Sequence, residues 1–225
     1  MMREGMEDLA PPAAGYRRRP GCERPPGGLR WRPRWRHTGR GQIKPAEPAE
    51  HWHLSAAGWQ AARELAERLA DAGIAVLHHS PQAKTRETAQ AMGDVLRVPL
   101  RAEPDLRELA MDVPWLGTAD FERRVGDFLG GAADPVFEPY DLAQHRILGC
   151  VRAIVARCAE PATAVVSHGR IITVLFSALC GVRLGAEEWR SLRMPDVAVV
   201  DLARGIIAEG FWAGRPVRWV PRSPS

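Results

Sequence analysis

Short apolar segments alternate with helix-forming segments between residues 54 and 212, and this alternation restricts the fold more than any other feature of the sequence. Two apolar runs, IAVLHHS at 74–80 and TAVVSHG at 163–169, begin without polar interruption, as strands buried on both faces of a sheet do. Strands that alternate with helices predict an α/β fold. The expected architecture is a three-layer α/β/α sandwich around a mainly parallel central sheet.

Local patterns place the remaining elements. A helix is predicted between the candidate cap Ser55 and Gly73, because apolar residues recur there at helical spacing and glycine commonly ends a helix. A strand followed by a loop is predicted at 98–109. The other predicted elements are helices at 84–96, 121–129, 141–159 and 171–181, and a terminal hairpin formed by 197–205 and 206–212.

The segment GLRWRPRW, at 28–35, is consistent with a partly exposed first strand. Leu29, Trp31 and Trp35 alternate with arginines, whereas a central parallel strand is usually apolar throughout. Pro33 lies inside the segment, and proline cannot donate a hydrogen bond to a strand ladder.

The positive charge is concentrated near the start of the chain. Residues 1–44 hold eleven Lys/Arg against four Asp/Glu, a balance of +7, and the whole chain carries +4, which leaves −3 for residues 45–225. Residues 1–28 are rich in Pro, Gly and Arg and are expected to be a disordered leader, with one domain at 29–225. Nucleic-acid binding through residues 17–40 is not expected, because it requires a basic face on the folded part.

The cysteines and the hydropathy indicate the compartment. No CxxC pair and no histidine at metal-ligand spacing accompany the four cysteines, so buried thiols in a reducing cytoplasm are predicted and no metal is expected. The N-terminus lacks the apolar core of a signal peptide, and no stretch approaches 18 uninterrupted apolar residues. The protein is therefore expected to be cytoplasmic, without contact with a membrane.

Polar residues follow both apolar runs, at the strand ends where open parallel sheets bind ligands. His168 lies at a strand-to-helix corner, where the first N–H groups of the helix attract an anion and Gly169 permits a sharp turn. Lys84 lies in the first turn of the helix that follows the other run, and it could reach back toward the same anion. A solvated surface lysine is the alternative interpretation.

Glu108 is the third candidate. It follows a predicted strand and lies between Leu106 and Leu109, and a carboxylate partly buried by apolar neighbours can have a raised pKa and donate a proton. An exposed loop glutamate fits the sequence equally well. His78 and His79, at the end of the first apolar run, could be surface or pocket residues and receive no role.

Several motifs occur together in a fixed order. The dipeptide RH at 36–37 is followed by LSAAGWQAARELAERLADAGI, SPQAKTRETAQAM, PDLREL and AVVSHGRIITVLFSALCG. In this order and spacing the chain resembles the histidine phosphatase superfamily, the phosphoglycerate-mutase-like enzymes, over about residues 35–202. The resemblance implies a phosphatase that hydrolyses a small phosphomonoester through a phosphohistidine, with no cofactor and no metal.

The resemblance also implies roles for individual residues. His37 matches the nucleophile, and Arg36 beside it matches a residue that holds phosphate oxygens. His168 matches the second pocket histidine, and Glu108 matches the proton donor to the leaving oxygen. Lys84 stands where most members have arginine.

Gly169 belongs to the same phosphate-binding corner as His168. Thr38 departs from the family pattern, because it stands where the family has a glycine that lets phosphate approach closely. This departure and the arginine-rich first strand leave a second hypothesis, a catalytically impaired member that binds or scaffolds a phosphorylated ligand.

Residues 110–140 are expected to cap the pocket, with Trp115 and Phe121 forming an apolar rim. A mutase is less expected than a phosphatase, because the chain shows no long insertion that would exclude water from a retained intermediate. Trp212 and Trp219, if they are exposed, could support a homodimer.

Overall fold

The computed structural model describes residues 28–33, 47–113, 117–158 and 162–219, and for residues 28–33 it gives the course of the backbone. Within these ranges the strands are β1 Gly28–Pro33, β2 Ile74–His79, β3 Leu100–Ala102, β4 Ala162–Ser167, β5 Ala198–Asp201 and β6 Ile206–Gly210. The helices are α1 Ala56–Glu67, α2 Ala83–Leu96, α3 Thr118–Gly130, α4 Tyr140–Arg157, α5 Gly169–Cys180 and α6 Ala186–Ser191. None of these helices has the length and apolarity needed to cross a bilayer.

The strands form one sheet in the order β3-β2-β4-β1-β5-β6. The pairs β2–β3, β2–β4 and β1–β4 are parallel, while β5 is antiparallel to both β1 and β6. The mainly parallel sheet and the terminal hairpin are therefore confirmed. The carboxyl ends of β1, β2, β3 and β4 lie at one edge of the sheet, which is the edge expected to bind a ligand.

Two buried clusters cover the two faces of the sheet. On one face, Ala62 and Ala66 of α1 and Met92 of α2 pack with Ala164 and Val166 of β4. On the other face, side chains of α3, α4 and α5 pack around β4 and the terminal hairpin. Successive side chains of a strand alternate between faces, so that an uninterrupted apolar run is what a two-sided strand needs. The three-layer α/β/α architecture is confirmed.

The first strand lies inside the sheet, between β4 and β5, and not at an exposed edge. Its last residue, Pro33, is paired with Ser167 at the end of β4. The missing N–H of proline therefore falls where the ladder ends, which removes the objection to an interior strand. The predicted leader lies outside the described residues except for Gly28, and so does Trp35.

The start of α1 follows the prediction, because the hydroxyl of Ser55 accepts a hydrogen bond from the N–H of Gly58 at 3.1 Å. Gly73 has a φ of 64°, the left-handed conformation that favours glycine, after a 3-10 turn at Ala70–Ala72. The helix itself ends earlier, at Glu67. Helix α6 was not predicted, since six residues are too few to show a helical period.

The C-terminal tryptophans do not form an exposed patch. Trp212 is partly buried against the core, with its ring centroid 5.4 Å from that of Phe176, and its indole N–H donates to Ser191 Oγ at 3.2 Å. Trp219 is partly buried against the same core. The exposure on which the homodimer prediction depended is therefore wrong, and the homodimer itself stays a prediction.

Candidate active site

Three strand ends and one loop meet at the carboxyl edge of the sheet. The N–H of Ser80, just beyond β2, donates to the carbonyl of Val166 in β4 at 3.0 Å. The hydroxyl of Ser167, the last residue of β4, donates to the carbonyl of Leu106 at 2.8 Å and so fixes the loop that carries Glu108. Because Pro33 is paired with Ser167, β1 ends at this same edge.

The predicted nucleophile follows the end of β1 by four residues. His37 and its neighbour Arg36 both lie outside the described residues, and so does Thr38. Their predicted roles therefore stay predictions.

His168 is buried in the turn between β4 and α5, with 1% of its surface exposed. Its Nε2 lies 2.9 Å from the hydroxyl oxygen of Ser80. Burial lowers the pKa of His168 to about 3, with Lys84 and Arg170 adding to the effect and Glu108 opposing it. The imidazole is therefore neutral at pH 7, with one nitrogen that donates a hydrogen bond and one that accepts.

Lys84 is buried in the first turn of α2, with 6% of its surface exposed. Its Nζ lies 5.1 Å from the ring centroid of Trp52, a distance that allows a cation–π interaction. Burial lowers the pKa of Lys84 to about 6, while Glu108 acts to raise it and Arg170 to lower it further. The interpretation as a solvated surface lysine is wrong.

Trp52 explains part of this burial. The indole is 5% exposed and donates to the carbonyl of Glu47 at 3.0 Å within the loop before α1, while its ring lies beside Lys84 of α2.

Glu108 is buried and held by donors on several sides. One carboxylate oxygen accepts the backbone N–H groups of Leu109 at 3.0 Å and Ile171 at 2.9 Å. The other oxygen lies 3.2 Å from Nε of Arg170. The backbone N–H of Glu108 donates to the side-chain oxygen of Gln82 at 3.1 Å.

These contacts overturn the raised pKa expected for Glu108. Burial is the largest influence and acts to raise the pKa, but Arg170, His168 and the two backbone N–H groups together bring it below the ordinary value. The flanking leucines are buried as expected. The carboxylate of Glu108 nevertheless contacts the guanidinium of Arg170 and the N-terminus of α5, and both of these favour its charged form.

The N-terminus of α5 is predicted to attract an anion, and in the structure the carboxylate of Glu108 lies there. The N–H of Ile171, in the first turn, donates to Glu108. Gly169 differs from the expectation, since its φ is not in the left-handed region. A Cβ at this position would lie 3.3 Å from Nε1 of Trp189, so lack of space, and not a sharp turn, favours glycine here.

Four ionisable side chains therefore lie close enough for their charges to interact. They come from α2, the loop after β3, and the start of α5, and they are Lys84, Glu108, His168 and Arg170. In the described part of the chain, no group of three or more His, Cys, Asp and Glu side chains is arranged to hold a metal ion.

Ser80 and Arg170 also belong to the site, and no sequence pattern predicts either of them. Ser80 precedes the proline of the Ser-Pro turn, and no local pattern indicates that its hydroxyl meets His168. Arg170 directly follows the Ser-His-Gly corner and reads as an ordinary helix residue. Its partner, Glu108, is distant in the sequence, so only the fold reveals the pair.

The region predicted to cap the pocket contains α3, and one of its side chains reaches the site. The guanidinium of Arg170 lies 5.5 Å from the ring centroid of Phe121, and that ring meets the ring of Trp189 edge-on at 6.1 Å. Trp115 lies outside the described residues.

A comparison with protein-family models matches residues 33–205 to the histidine phosphatase superfamily (branch 1). The matched range contains every residue that the sequence analysis placed in the pocket. The chain belongs to this superfamily, whose members are phosphatases or mutases.

Two curated proteins similar to this chain carry the same name. One is "Probable phosphoglycerate mutase GpmB" of Proteus mirabilis, 28% identical over 171 residues, which cover 69% of this chain and 79% of that protein. The other is its namesake from Erwinia tasmaniensis, 26% identical over 170 residues, with 69% of this chain and 79% of that protein covered.

Solved structures share the fold at lower identity. The phosphoserine phosphatase of Entamoeba histolytica in complex with 3-phosphoglyceric acid superposes with a TM-score of 0.63 at 14% identity, covering 84% of this chain and 98% of that one. Bacillus stearothermophilus YhfR gives 0.61 at 19%, covering 87% and 96%. The mycobacterial glucosyl-3-phosphoglycerate phosphatase gives 0.59 at 20%, covering 78% and 90%.

Proposed function

We propose that this chain is a metal-independent phosphatase that hydrolyses small phosphomonoesters through a phosphohistidine at His37. The observation that carries the proposal is the cluster of Lys84, Glu108, His168 and Arg170 at the sheet edge where β1 ends, four residues before His37. Phosphoryl transfer requires mainly positioning and positive charge around three equatorial oxygens. His168 offers a positioned hydrogen-bond donor, Arg170 is a cation, and Lys84 becomes a second cation when a phosphate dianion binds.

The reaction divides into two steps. A neutral imidazole nitrogen of His37 attacks phosphorus, and the bond from phosphorus to the leaving oxygen breaks as Glu108 supplies a proton to that oxygen. Water then attacks the phosphohistidine and releases inorganic phosphate. His168 donates a hydrogen bond to the phosphoryl group in both steps, and Arg36 and Lys84 hold its other oxygens.

The arriving phosphate changes the protonation of the site. A dianion beside Lys84 raises the pKa of the amine toward its ordinary value, so that the lysine becomes charged when substrate binds. The same negative charge raises the pKa of Glu108 and prepares it to act as an acid.

Phosphoglycerate mutase activity is the second candidate, favoured by the names of the two curated relatives. A mutase and a phosphatase share the first step and differ in the fate of the phosphohistidine. In a mutase the phosphoryl group returns to the bound product, whereas in a phosphatase it is transferred to water. The phospholigand-binding or scaffolding member is the third. The phosphatase proposal includes three further points: residues 110–140 cap the pocket, the substrate is a small phosphorylated metabolite, and the protein is cytoplasmic.

Turnover and trapping of the intermediate separate these candidates. The full chain is assayed with p-nitrophenyl phosphate in the presence of a metal chelator, and the reaction is quenched in alkali so that phosphohistidine survives for peptide mass spectrometry. Turnover with phosphate on His37 supports the phosphatase. Conversion of 3-phosphoglycerate to 2-phosphoglycerate faster than release of phosphate identifies a mutase, and phosphate binding without turnover identifies the scaffold.

The Arg170–Glu108 pair makes a prediction about pH. Replacing Arg170 by leucine removes the charge that opposes burial, so the pKa of Glu108 is expected to rise. With an alkyl phosphate, whose leaving oxygen needs a proton, kcat/KM falls as the pH rises through the pKa of the acid. That falling limb is therefore expected to move to higher pH in Arg170→Leu.

Two controls make this experiment specific. p-Nitrophenyl phosphate has a leaving group that needs little protonation, and its pH profile is expected to move much less. Arg123→Leu removes an exposed arginine of α3 and is expected to leave both profiles unchanged. Identical alkyl phosphate profiles for the wild type and Arg170→Leu would show that Glu108 is not the acid.

A further inference from the structure

A second set of reactive side chains lies outside the proposed phosphate pocket. His78 of β2 is fully buried, and its Nδ1 lies 2.9 Å from a carboxylate oxygen of Glu103, just beyond β3. Its Nε2 lies 3.7 Å from Sγ of Cys158, the residue that follows α4. A carboxylate, an imidazole and a thiol therefore stand in a line that joins three elements.

The hydrogen positions in this line follow from its partners. The carboxylate oxygen of Glu103 that meets His78 also accepts a hydrogen bond from the Arg157 guanidinium at 2.7 Å. That oxygen is an acceptor, and so Nδ1 of His78 carries the hydrogen between them. In a neutral imidazole this leaves Nε2 with a free lone pair, which faces the thiol.

His78 is neutral at pH 7. Burial lowers its pKa, and the positive charges of Arg157 and Arg101 act in the same direction, while the hydrogen bond and the charge of Glu103 oppose them. The groups that face this imidazole are thus a carboxylate and an arginine near β3, and an arginine and a thiol at the end of α4. The ring is available as a base toward Cys158.

The other two cysteines of the described residues lack this arrangement. Cys150 is buried, and burial raises the pKa of its thiol to about 12. Cys180 is buried, and burial raises its pKa as well. Cys158 is partly exposed and has the imidazole beside it. Solvent access and a neighbouring base together are the conditions under which a thiol becomes a nucleophile.

We propose that Cys158 is a nucleophilic thiol that small hydroperoxides oxidise to a sulfenic acid, with His78 as the general base and Glu103 as the residue that orients the imidazole. The thiol proton moves to Nε2 of His78, and sulfur attacks the terminal, hydrogen-bearing oxygen of the hydroperoxide. The S–O bond forms as the O–O bond breaks, and sulfur supplies the two electrons. The leaving alkoxide takes the proton from Nε2, which gives Cys158–SOH and an alcohol, or water from hydrogen peroxide.

A hydroperoxide suits this site because it is small and its leaving oxygen needs the proton that His78 has accepted. A disulfide within the chain does not follow from the sulfenic acid by reaction with Cys150. That residue lies eight positions earlier on α4, about 12 Å along the helix axis, beyond the reach of a disulfide. Cys150 is therefore not the thiol that resolves the sulfenic acid, and an external thiol is expected to reduce it.

The test compares each thiol in the native and in the unfolded chain. The reduced full-length protein is exposed to hydrogen peroxide in buffer and in guanidinium chloride. The thiol remaining at each cysteine is then measured by alkylation and peptide mass spectrometry. Oxidation of glutathione in each solvent corrects for the denaturant. Cys150 and Cys180 are expected to react faster when unfolding exposes them, whereas Cys158 is expected to react at least about 10-fold slower.

Exposure alone predicts the opposite result for Cys158. If its oxidation is as fast or faster in the unfolded chain, or if dimedone traps no sulfenic acid at Cys158 in the native protein, the proposal is wrong.

Two substitutions identify the base. His78→Gln is expected to slow native oxidation of Cys158 at least about 10-fold and to leave the slow rate of Cys150 unchanged, which also reports that the core stays folded. Glu103→Gln keeps an oxygen acceptor for Nδ1–H of His78 and removes the charge. The oxidation rate of Cys158 is therefore expected to decrease less than in His78→Gln. If Cys158 is oxidised at the wild-type rate in both folded variants, Glu103→Gln and His78→Gln, the assignment of His78 as the base is wrong.

Discussion

Replacing His37 by alanine is expected to lower kcat for p-nitrophenyl phosphate by about 10⁴-fold or more, to the background set by the rest of the pocket. Removal of a covalent nucleophile leaves only binding and electrostatic stabilisation, and losses of this size accompany such removal in other covalent enzymes. Phosphate affinity is expected to change only a few-fold, because Lys84, Arg36 and His168 remain. Steady-state kinetics and a phosphate titration measure the two effects separately.

A histidine on the surface serves as the matched control. The side chain of His51 is 66% exposed, and His51→Ala is expected to leave both kcat and the phosphate affinity unchanged. The kcat of His168→Ala is expected to lie between those of His37→Ala and His51→Ala, about 10²–10³-fold below the wild type. This substitution removes a hydrogen-bond donor to the phosphoryl group and leaves the nucleophile in place. Equal turnover by the wild type and His37→Ala contradicts the assignment of the nucleophile.

The sequence predicts the parts of this fold that depend on local pattern. Strands β2 and β4 are recognisable because a strand covered on both faces needs apolar side chains at successive positions. The position of His168 follows from the same pattern, since the residue after a buried parallel strand lies at the edge where ligands bind.

Pairing between distant segments is what the local pattern lacks. Arginines and Pro33 argue against an interior strand when GLRWRP is considered alone. Its place between β4 and β5 depends on the register that pairs Pro33 with Ser167, and that register is a property of the whole sheet.

The electrostatics of the site escape the sequence for a related reason. The pKa of Glu108 depends on Arg170 and on the N–H of Ile171, which approach only when α5 packs against the loop after β3. A rule based on the apolar neighbours of Glu108 describes its burial correctly and gives the wrong direction for its pKa. The lack of space for a Cβ at Gly169 likewise comes from Trp189, which belongs to a helix that no pattern predicted.

Replacing Lys84 by methionine is expected to stabilise the ligand-free protein by about 1–4 kcal/mol at pH 7 and to weaken phosphate binding at least about 10-fold. The pKa of Lys84 is about 6 in the folded chain, against an ordinary value of 10.5 that the unfolded chain restores. Methionine has a similar unbranched shape and no amine to bury, so it keeps the packing against Trp52 and removes the cost. Chemical denaturation and a phosphate titration measure the two effects.

The pH dependence distinguishes this cause from ordinary packing. Between pH 6 and 10.5 the unfolded chain binds a proton at Lys84 that the folded chain does not, so the free energy of unfolding of the wild type rises with pH in this window. Lys84→Met lacks that dependence, and its advantage is expected to be largest at or below pH 6 and to shrink toward pH 10.5. A constant difference across this range contradicts the lowered pKa.

Binding of phosphate reverses the same equilibrium and is expected to draw a proton onto Lys84. Calorimetric titration at about pH 8.5, in two buffers of different ionisation enthalpy, counts the protons taken up, and inorganic phosphate is already dianionic there. The wild type is expected to take up close to one proton more than Lys84→Arg, whose guanidinium is always charged. Lys84→Arg is expected to retain turnover, because it preserves a cation beside the phosphate oxygens. If the wild type and Lys84→Arg take up equal numbers of protons, and if Lys84→Met binds phosphate with unchanged affinity, then Lys84 is a buried lysine without a part in phosphate binding.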